Sequence, residues 1–336
     1  MNLYLASEPS KHTISPALRR VAFVAMIATY LLVVLGSTVR VSHSGMGCRS
    51  WPLCNGHLAP LENFHAAIEQ FHRYLAAIVS ILVFATGFLA WRHARSFRRV
   101  YVSALLSCLV IVVQVALGAV TVLTHNAPAT VGMHLVTGLI ELAIVTVVFV
   151  TAQTETDGTS HAHTQKVNVN NTQVLRLGIS AVVATMAIIV TGAIVVDTKA
   201  AKSCPYWPLC SFGTAPTHLV EAQFLHRGIV FIGGVVLVIV FQRAWENWRP
   251  LGAGPLIILN IVVFVVQIAV GAIVALMKAP PALQDLHLGI AGIFWMGIVA
   301  LATLAWVRVP RTTELKGPNN QDLSLDKPNP PLPTQL

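Results

Sequence analysis

The sequence predicts an all-α integral membrane protein, with eight transmembrane helices arranged as two parallel four-helix-bundle repeats. Three observations carry this. Only 10% of the 336 residues are charged and 55% are hydrophobic, where a soluble domain has roughly a quarter charged. Such a deficit cannot be hidden in a core, because surface must face something, and here it faces lipid. Uncharged apolar runs able to cross a hydrocarbon layer of ~30 Å, which takes about 20 helical residues, recur along the chain. Finally, landmarks of the first half return in the second at a nearly constant interval.

In chain order the runs are Val21–Val39, Tyr74–Trp91, Val100–Leu123, Ala129–Val150, Leu177–Val196, Gly228–Phe241, Leu251–Met277 and Leu286–Val307. The second and sixth are short unless their outer turns include the phrases Glu69-Gln-Phe-His-Arg73 and Gln223-Phe-Leu-His-Arg227. Cys48 returns as Cys204, His72 as His226, Gln114-Val-Ala-Leu-Gly-Ala as Gln267-Ile-Ala-Val-Gly-Ala, and His134-Leu as His287-Leu, at intervals of 156, 154, 153 and 153 residues. Each copy holds an even number of spans, so both share one orientation about a pseudo-two-fold axis along the membrane normal. The expected divisions are a cytoplasmic N-terminal segment (1–20), a first repeat (21–152), a polar cytoplasmic linker (153–173), a second repeat (174–307) and a disordered tail (308–336). The linker holds His161 and His163, read as solvated residues, and the tail is rich in proline.

Lys and Arg are unevenly shared between alternate loops. One side holds Lys11, Arg19, Arg20, the Arg92–Arg99 cluster, Lys166, Arg243, Arg249 and the basic residues of the tail. The other holds Arg40, Arg49, Lys199, Lys202 and Lys278, with Arg73 and Arg227 at its boundary. The bias predicts cytoplasmic termini and cysteine loops on the outer side. A net charge of +9 therefore marks loop sidedness, and no nucleic-acid partner is expected. No cleavable signal and no Arg/Ser-rich transit pattern is evident at the start, which favours a bacterial plasma membrane.

Ionisable residues at membrane depth are costly, so each is a functional candidate by default. His72, His134, His226 and His287 lie in the outer turns of the even-numbered spans. Within each half the two would face each other across a bundle, the usual way to present imidazoles to the two faces of a haem iron. A single such histidine is more often an interfacial residue, but two pairs repeated in register argue for ligands. Zinc would require further ligands; His43, His57, His65, His125 and His218 are on the outer side, but none recurs at the repeat interval. Arg73 and Arg227 follow their histidines and suit carboxylate groups such as haem propionates, although snorkelling to lipid headgroups would also explain them. Arg40 belongs to the same ring.

Glu69 is the asymmetry between the copies. It lies about 60° from His72 around a helix, within reach of the same pocket. Its counterpart is Gln223, while Glu221 points elsewhere. An acid beside a porphyrin can accept a proton or stabilise positive charge on a reacting carbon; alternatively Glu69 only pairs with Arg73 or faces water. Glu141, two turns beyond His134, either pairs with a buried polar group or conducts protons. Gly118, Gly138, Gly271, Gly289 and Gly292 permit close approach of a helix or of a flat ligand. Cys108 reads as a packing residue. The Cys48/Cys54 and Cys204/Cys210 pairs, each enclosing Trp-Pro-Leu, favour a disulfide in each outer loop over metal ligation or electron shuttling.

Val39-Arg-Val-Ser-His-Ser-Gly-Met-Gly-Cys48, the Trp-Pro-Leu-Cys54 loop, Glu69-Gln-Phe-His-Arg73 and the His134/His226/His287 set together resemble the haem A synthase family, over Val21 to Val307. The resemblance implies conversion of haem O to haem A for terminal oxidases, by oxidation of the C8 methyl to a formyl group with water as oxygen source. It also implies that His72 and His134 hold the substrate, with Glu69 as acid/base or charge stabiliser. A haem b between His226 and His287 would pass electrons, and Arg40, Arg73 and Arg227 would contact propionates. Disulfides Cys48–Cys54 and Cys204–Cys210 are part of the same likeness. The implied partners are haem O, a haem O synthase and a membrane electron acceptor, and a homo-oligomer is compatible with it. Asp197-Thr-Lys199, which precedes the second cysteine loop, departs from the arginine-containing phrase of the first. A bis-haem electron-transfer cytochrome would use the same histidines but has no need of Glu69. A transporter would require spans broken at mid-membrane.

Overall fold

The computed structural model describes residues 13–58, 63–155, 171–210 and 216–308. These contain eight long helices: α1 (Pro16–Val41), α2 (Phe64–His93), α3 (Arg98–Leu123), α4 (Pro128–Thr154), α5 (Asn171–Asp197), α6 (Thr217–Trp248), α7 (Gly254–Leu276) and α8 (Pro281–Arg308). All eight are long and apolar enough to cross a membrane. Most of the expected N-terminal segment, linker and tail, with His161 and His163, lies outside the described residues.

Local chemistry starts the helices where hydropathy alone leaves their ends vague. The Ser15 hydroxyl accepts from the Ala17 amide ahead of α1, and Asn63 Oδ1 accepts from the Ala66 amide at 2.8 Å ahead of α2. Proline occupies the first turn of α1, α4 and α7, where its missing N–H costs nothing. The second and sixth spans are much longer than their apolar runs, because α2 and α6 continue outward through both histidine phrases. Hydropathy falls at His-Arg, but the helical ladder continues, since the polar side chains there find protein partners.

Helices α1–α4 pack as one four-helix bundle and α5–α8 as another, joined where α4 and α1 meet α8 and α4 meets α5. About half of the α4 and α8 spans is buried, against 11% for α7, so α4 and α8 form the centre and α7 faces outward. The central core mixes both halves, joining Met26, Val79 and Leu142 to Ile189, Trp295 and Val299. Among the polar contacts that register the halves, Trp295 Nε1 donates to the Leu139 carbonyl at 2.9 Å, and the Tyr30 hydroxyl to the Gly289 carbonyl at 3.1 Å. Both bond to carbonyls already inside helices, so they lock the interface without breaking either ladder.

Candidate functional site

The four histidines stand near the ends of α2, α4, α6 and α8 that lie on the side of the cysteine loops, and each imidazole rests on a glycine of the preceding helix. A Cβ at Gly36, Gly118, Gly192 or Gly271 would lie 3.2, 3.2, 3.1 or 2.9 Å from Cε1 of His72, His134, His226 or His287 respectively. Gly118 and Gly271 were legible in the sequence as close-approach positions. Gly36 and Gly192 were not, although they stand at the same 156-residue interval as the cysteines, and that interval applied to glycine would have found them.

The rings are half-buried, yet Nδ1 of His72, His134 and His287 is sealed from solvent without a hydrogen-bond partner. A neutral imidazole so placed loses hydrogen bonding on one edge while its other edge stays accessible. Gln114 and Gln267 stand beside the second histidine of each pair, their amide nitrogens 3.5 and 3.3 Å from Nε2 of His134 and His287. His226 differs, because its Nδ1 lies 3.1 Å from the Thr191 hydroxyl. Paired imidazoles, glycine backing that any side chain would fill and unpartnered ring nitrogens together fit a flat, iron-containing ligand in each half. Among the described residues no group of three or more His, Cys, Asp or Glu is placed to hold a lone metal ion. His65 is engaged by Ser44 Oγ at 2.9 Å, and with His43 it lines an open outer cleft of about 550 Å³.

The two cysteine pairs are disulfides, Cys48–Cys54 and Cys204–Cys210, and Cys108 is free. Each loop is clamped by the arginine that follows the histidine. Arg73 donates to the carbonyls of Cys48, Ser50 and Pro52, at 3.4, 2.7 and 3.2 Å. Arg227 donates to Cys204, Tyr206 and Pro208, at 3.1, 2.8 and 3.0 Å, the same three positions one repeat later. A guanidinium is suited to this because its planar fork reaches several carbonyls of one turn. The terminal nitrogens of both arginines thus organise protein backbone, and their charge stays at the mouth of each half. Arg40 pairs with Asp197 at 2.5 Å and donates to the Ala193 carbonyl at 2.6 Å. Arg40, which has no arginine counterpart in the second half, and Asp197 of the divergent Asp197-Thr-Lys199 phrase are therefore partners of each other, joining α1 to α5.

Glu69 is buried, 4% exposed, and both of its oxygens are occupied. Oε2 accepts from the Cys48 amide at 2.8 Å, and Oε1 from Arg73 at 2.7 Å. The loop can come this close because Gly47 lies against α2, where a Cβ would stand 2.6 Å from the Ala66 nitrogen. In the second half Gln223 turns its amide nitrogen to the Ala200 and Ala201 carbonyls, at 2.9 and 3.4 Å. The first loop presents an N–H and the second presents C=O groups. A carboxylate can only accept, whereas an amide can donate, so each side chain matches the backbone polarity it meets. Glu141 is likewise buried in the first half alone: Ser107 Oγ donates to its Oε1 at 2.5 Å, and Oε2 has no partner. At the corresponding place in α8 stands Phe294, stacked on Phe264.

A family model described as cytochrome oxidase assembly protein, COX15-CtaA, matches residues 19–70 and 62–299. Similar curated proteins are named heme A synthase. One from Bacillus licheniformis is 26% identical over 262 residues, covering 76% of this chain and 85% of that protein. One from Bacillus mycoides is 29% identical over 282 residues, covering 80% and 88%. One from Geobacillus kaustophilus is 26% identical over 322 residues, covering 88% and 93%.

Proposed function

Because the chain belongs to the COX15-CtaA family of cytochrome oxidase assembly proteins, we propose that it is a membrane haem A synthase, taking haem O as substrate. The overall change at the C8 methyl consumes water and releases four electrons and four protons as methyl becomes formyl. The observation that carries the reading is two histidine–glycine pairs repeated in both halves, with a buried acid beside only one.

In this reading His72 and His134 hold the substrate, with Gly36 and Gly118 behind them. His226 and His287 hold a haem b, backed by Gly192 and Gly271. The haem b, when bound, supplies one-electron transfer away from the reacting half to an acceptor in the membrane. Glu69 is the acid/base or charge-stabilising group, and the Cys48 amide and Arg73 aim its carboxylate. Arg73 and Arg227 keep the disulfide loops over the two sites, and with Arg40 they place positive charge where propionates would lie. Delivery of haem O by its synthase, cytoplasmic termini and outer cysteine loops in a bacterial plasma membrane complete the proposal.

Replacing Glu69 by Gln tests it. Haem A formation should fall by about 100-fold or more, the scale of losing a positioned acid or base, while haem absorbance and both disulfides persist. Porphyrins extracted from the purified variant and separated by chromatography give the answer. Wild-type haem A content in the variant would remove Glu69 from the chemistry, whereas a wild-type chain that binds haem b but forms no haem A would leave an electron-transfer cytochrome as the better description.

A further inference from the structure

We propose that the second half is built to retain its haem and the first to release its porphyrin, and that Thr191 against Leu35 makes the difference. The inference rests on the assignment of substrate to the first half and resident haem to the second. Leu35 and Thr191 are equivalent, since each precedes the glycine that backs the first histidine of its repeat, Gly36 behind His72 and Gly192 behind His226.

Thr191 makes a two-step relay. Its hydroxyl lies 2.8 Å from the Ala187 carbonyl and 3.0 Å from the Ile188 carbonyl, one turn back in α5, and its only proton is directed to these two acceptors. With that proton on a carbonyl, the oxygen lone pairs face His226 Nδ1 at 3.1 Å, and the neighbouring Ile188 backbone also accepts from this imidazole, so the arrangement suits Nδ1 as donor. That fixes the tautomer: Nδ1 carries the proton, and Nε2 presents a lone pair to an iron. A ligating imidazole whose second nitrogen is hydrogen-bonded is oriented and made more basic, and both effects tighten the bond to metal.

Leu35 offers His72 nothing of this kind. Nδ1 of His72 is buried with no partner, so no bond fixes its tautomer or ring orientation. The opposite histidines do not share the asymmetry. His134 and His287 both leave Nδ1 unpartnered and both stand beside a glutamine amide. The halves therefore differ in ligand support at this one imidazole. For a turnover enzyme the direction is sensible, because a product held as firmly as a cofactor would make release limiting.

The test uses the full chain, purified with its porphyrins and mixed with excess apomyoglobin as acceptor, with haem b and haem O/A loss followed separately by chromatography. In the wild type haem O/A should leave faster than haem b. Thr191→Val should speed haem b loss about tenfold, the scale of removing an outer-shell partner, and Leu35→Thr should slow haem O/A loss by about the same factor. Thr191→Ser, which keeps the hydroxyl, should hold haem b as the wild type does. The haem b midpoint potential should rise in Thr191→Val, as a less basic imidazole stabilises the oxidised iron less, a change that loosened packing alone would not give. Unchanged haem b loss and potential in Thr191→Val would overturn the inference, and so would unslowed haem O/A loss in Leu35→Thr. Should Thr191→Val fail to fold, Leu35→Thr decides alone. A wild-type preparation lacking haem b altogether would instead bring down the functional assignment, and this inference with it.

Discussion

At the scale of single residues, the site is defined as much by missing atoms as by ligands. Of the four glycines behind imidazoles Gly271 leaves the least room, 2.9 Å between a would-be Cβ and His287 Cε1. Gly271→Ala should push the imidazole off its position, with an overpacking cost of about 1–3 kcal/mol. If the second half holds haem as proposed, bound haem per protein, read from the absorbance spectrum, should fall sharply, while Gly132→Ala, where nothing lies within 4 Å, should leave it unchanged. Glu69 shows how one residue acquires two descriptions. Its position was legible from the Glu69/Gln223 contrast, but its contacts were not, because no pattern states whether a loop will offer N–H or C=O. The bland alternative, pairing with Arg73, is real, and the Cys48 amide adds a second anchor that no spacing rule would suggest.

At the scale of elements, the unit is a disulfide loop clamped onto the outer turn of the helix that follows it. Arg227→Met should strand the carbonyls of Cys204, Tyr206 and Pro208 and cost about 1.5–3 kcal/mol, as expected for lost hydrogen bonds to a charged group. Hydrogen exchange over residues 204–210 should rise, and reductant should reach Cys204–Cys210 sooner. Unchanged exchange would mean that the disulfide alone holds the loop. The histidine phrases were readable as the end turns of the second and sixth spans, but not the further turn from Phe64 or Thr217 that precedes each phrase, because hydropathy measures affinity for lipid and these turns are stabilised by protein.

At the scale of the molecule, the two halves are held in register by unlike contacts. Arg40 and Asp197 join α1 to α5, Ser37 donates to Asp285 at 2.7 Å, and Trp295 reaches Leu139. Removing one partner of a pair this shielded from solvent is expected to cost about 3–5 kcal/mol, since a charge is left without compensation. Asp197→Asn should therefore lower the unfolding temperature in detergent, and Arg40→Met with Asp197→Leu should recover most of the loss. If the double variant is as unstable as the single one, the pair does more than compensate charge. Arg40 thus serves the contact between the halves.

The chain by itself determined the class, the number of spans, the repeat and the eight residues that mark it, because lipid solvation and chain duplication both leave periodic traces in sequence. It also singled out the histidines and glutamates at membrane depth as candidates for chemistry, since burying an ionisable group there is costly. Tertiary structure alone decided what each of them touches. Glycines behind imidazoles, Thr191 under His226 and Arg40 on Asp197 are contacts between helices far apart in sequence. Hydropathy and spacing describe one helix at a time, whereas a ligand site is made where several helices meet.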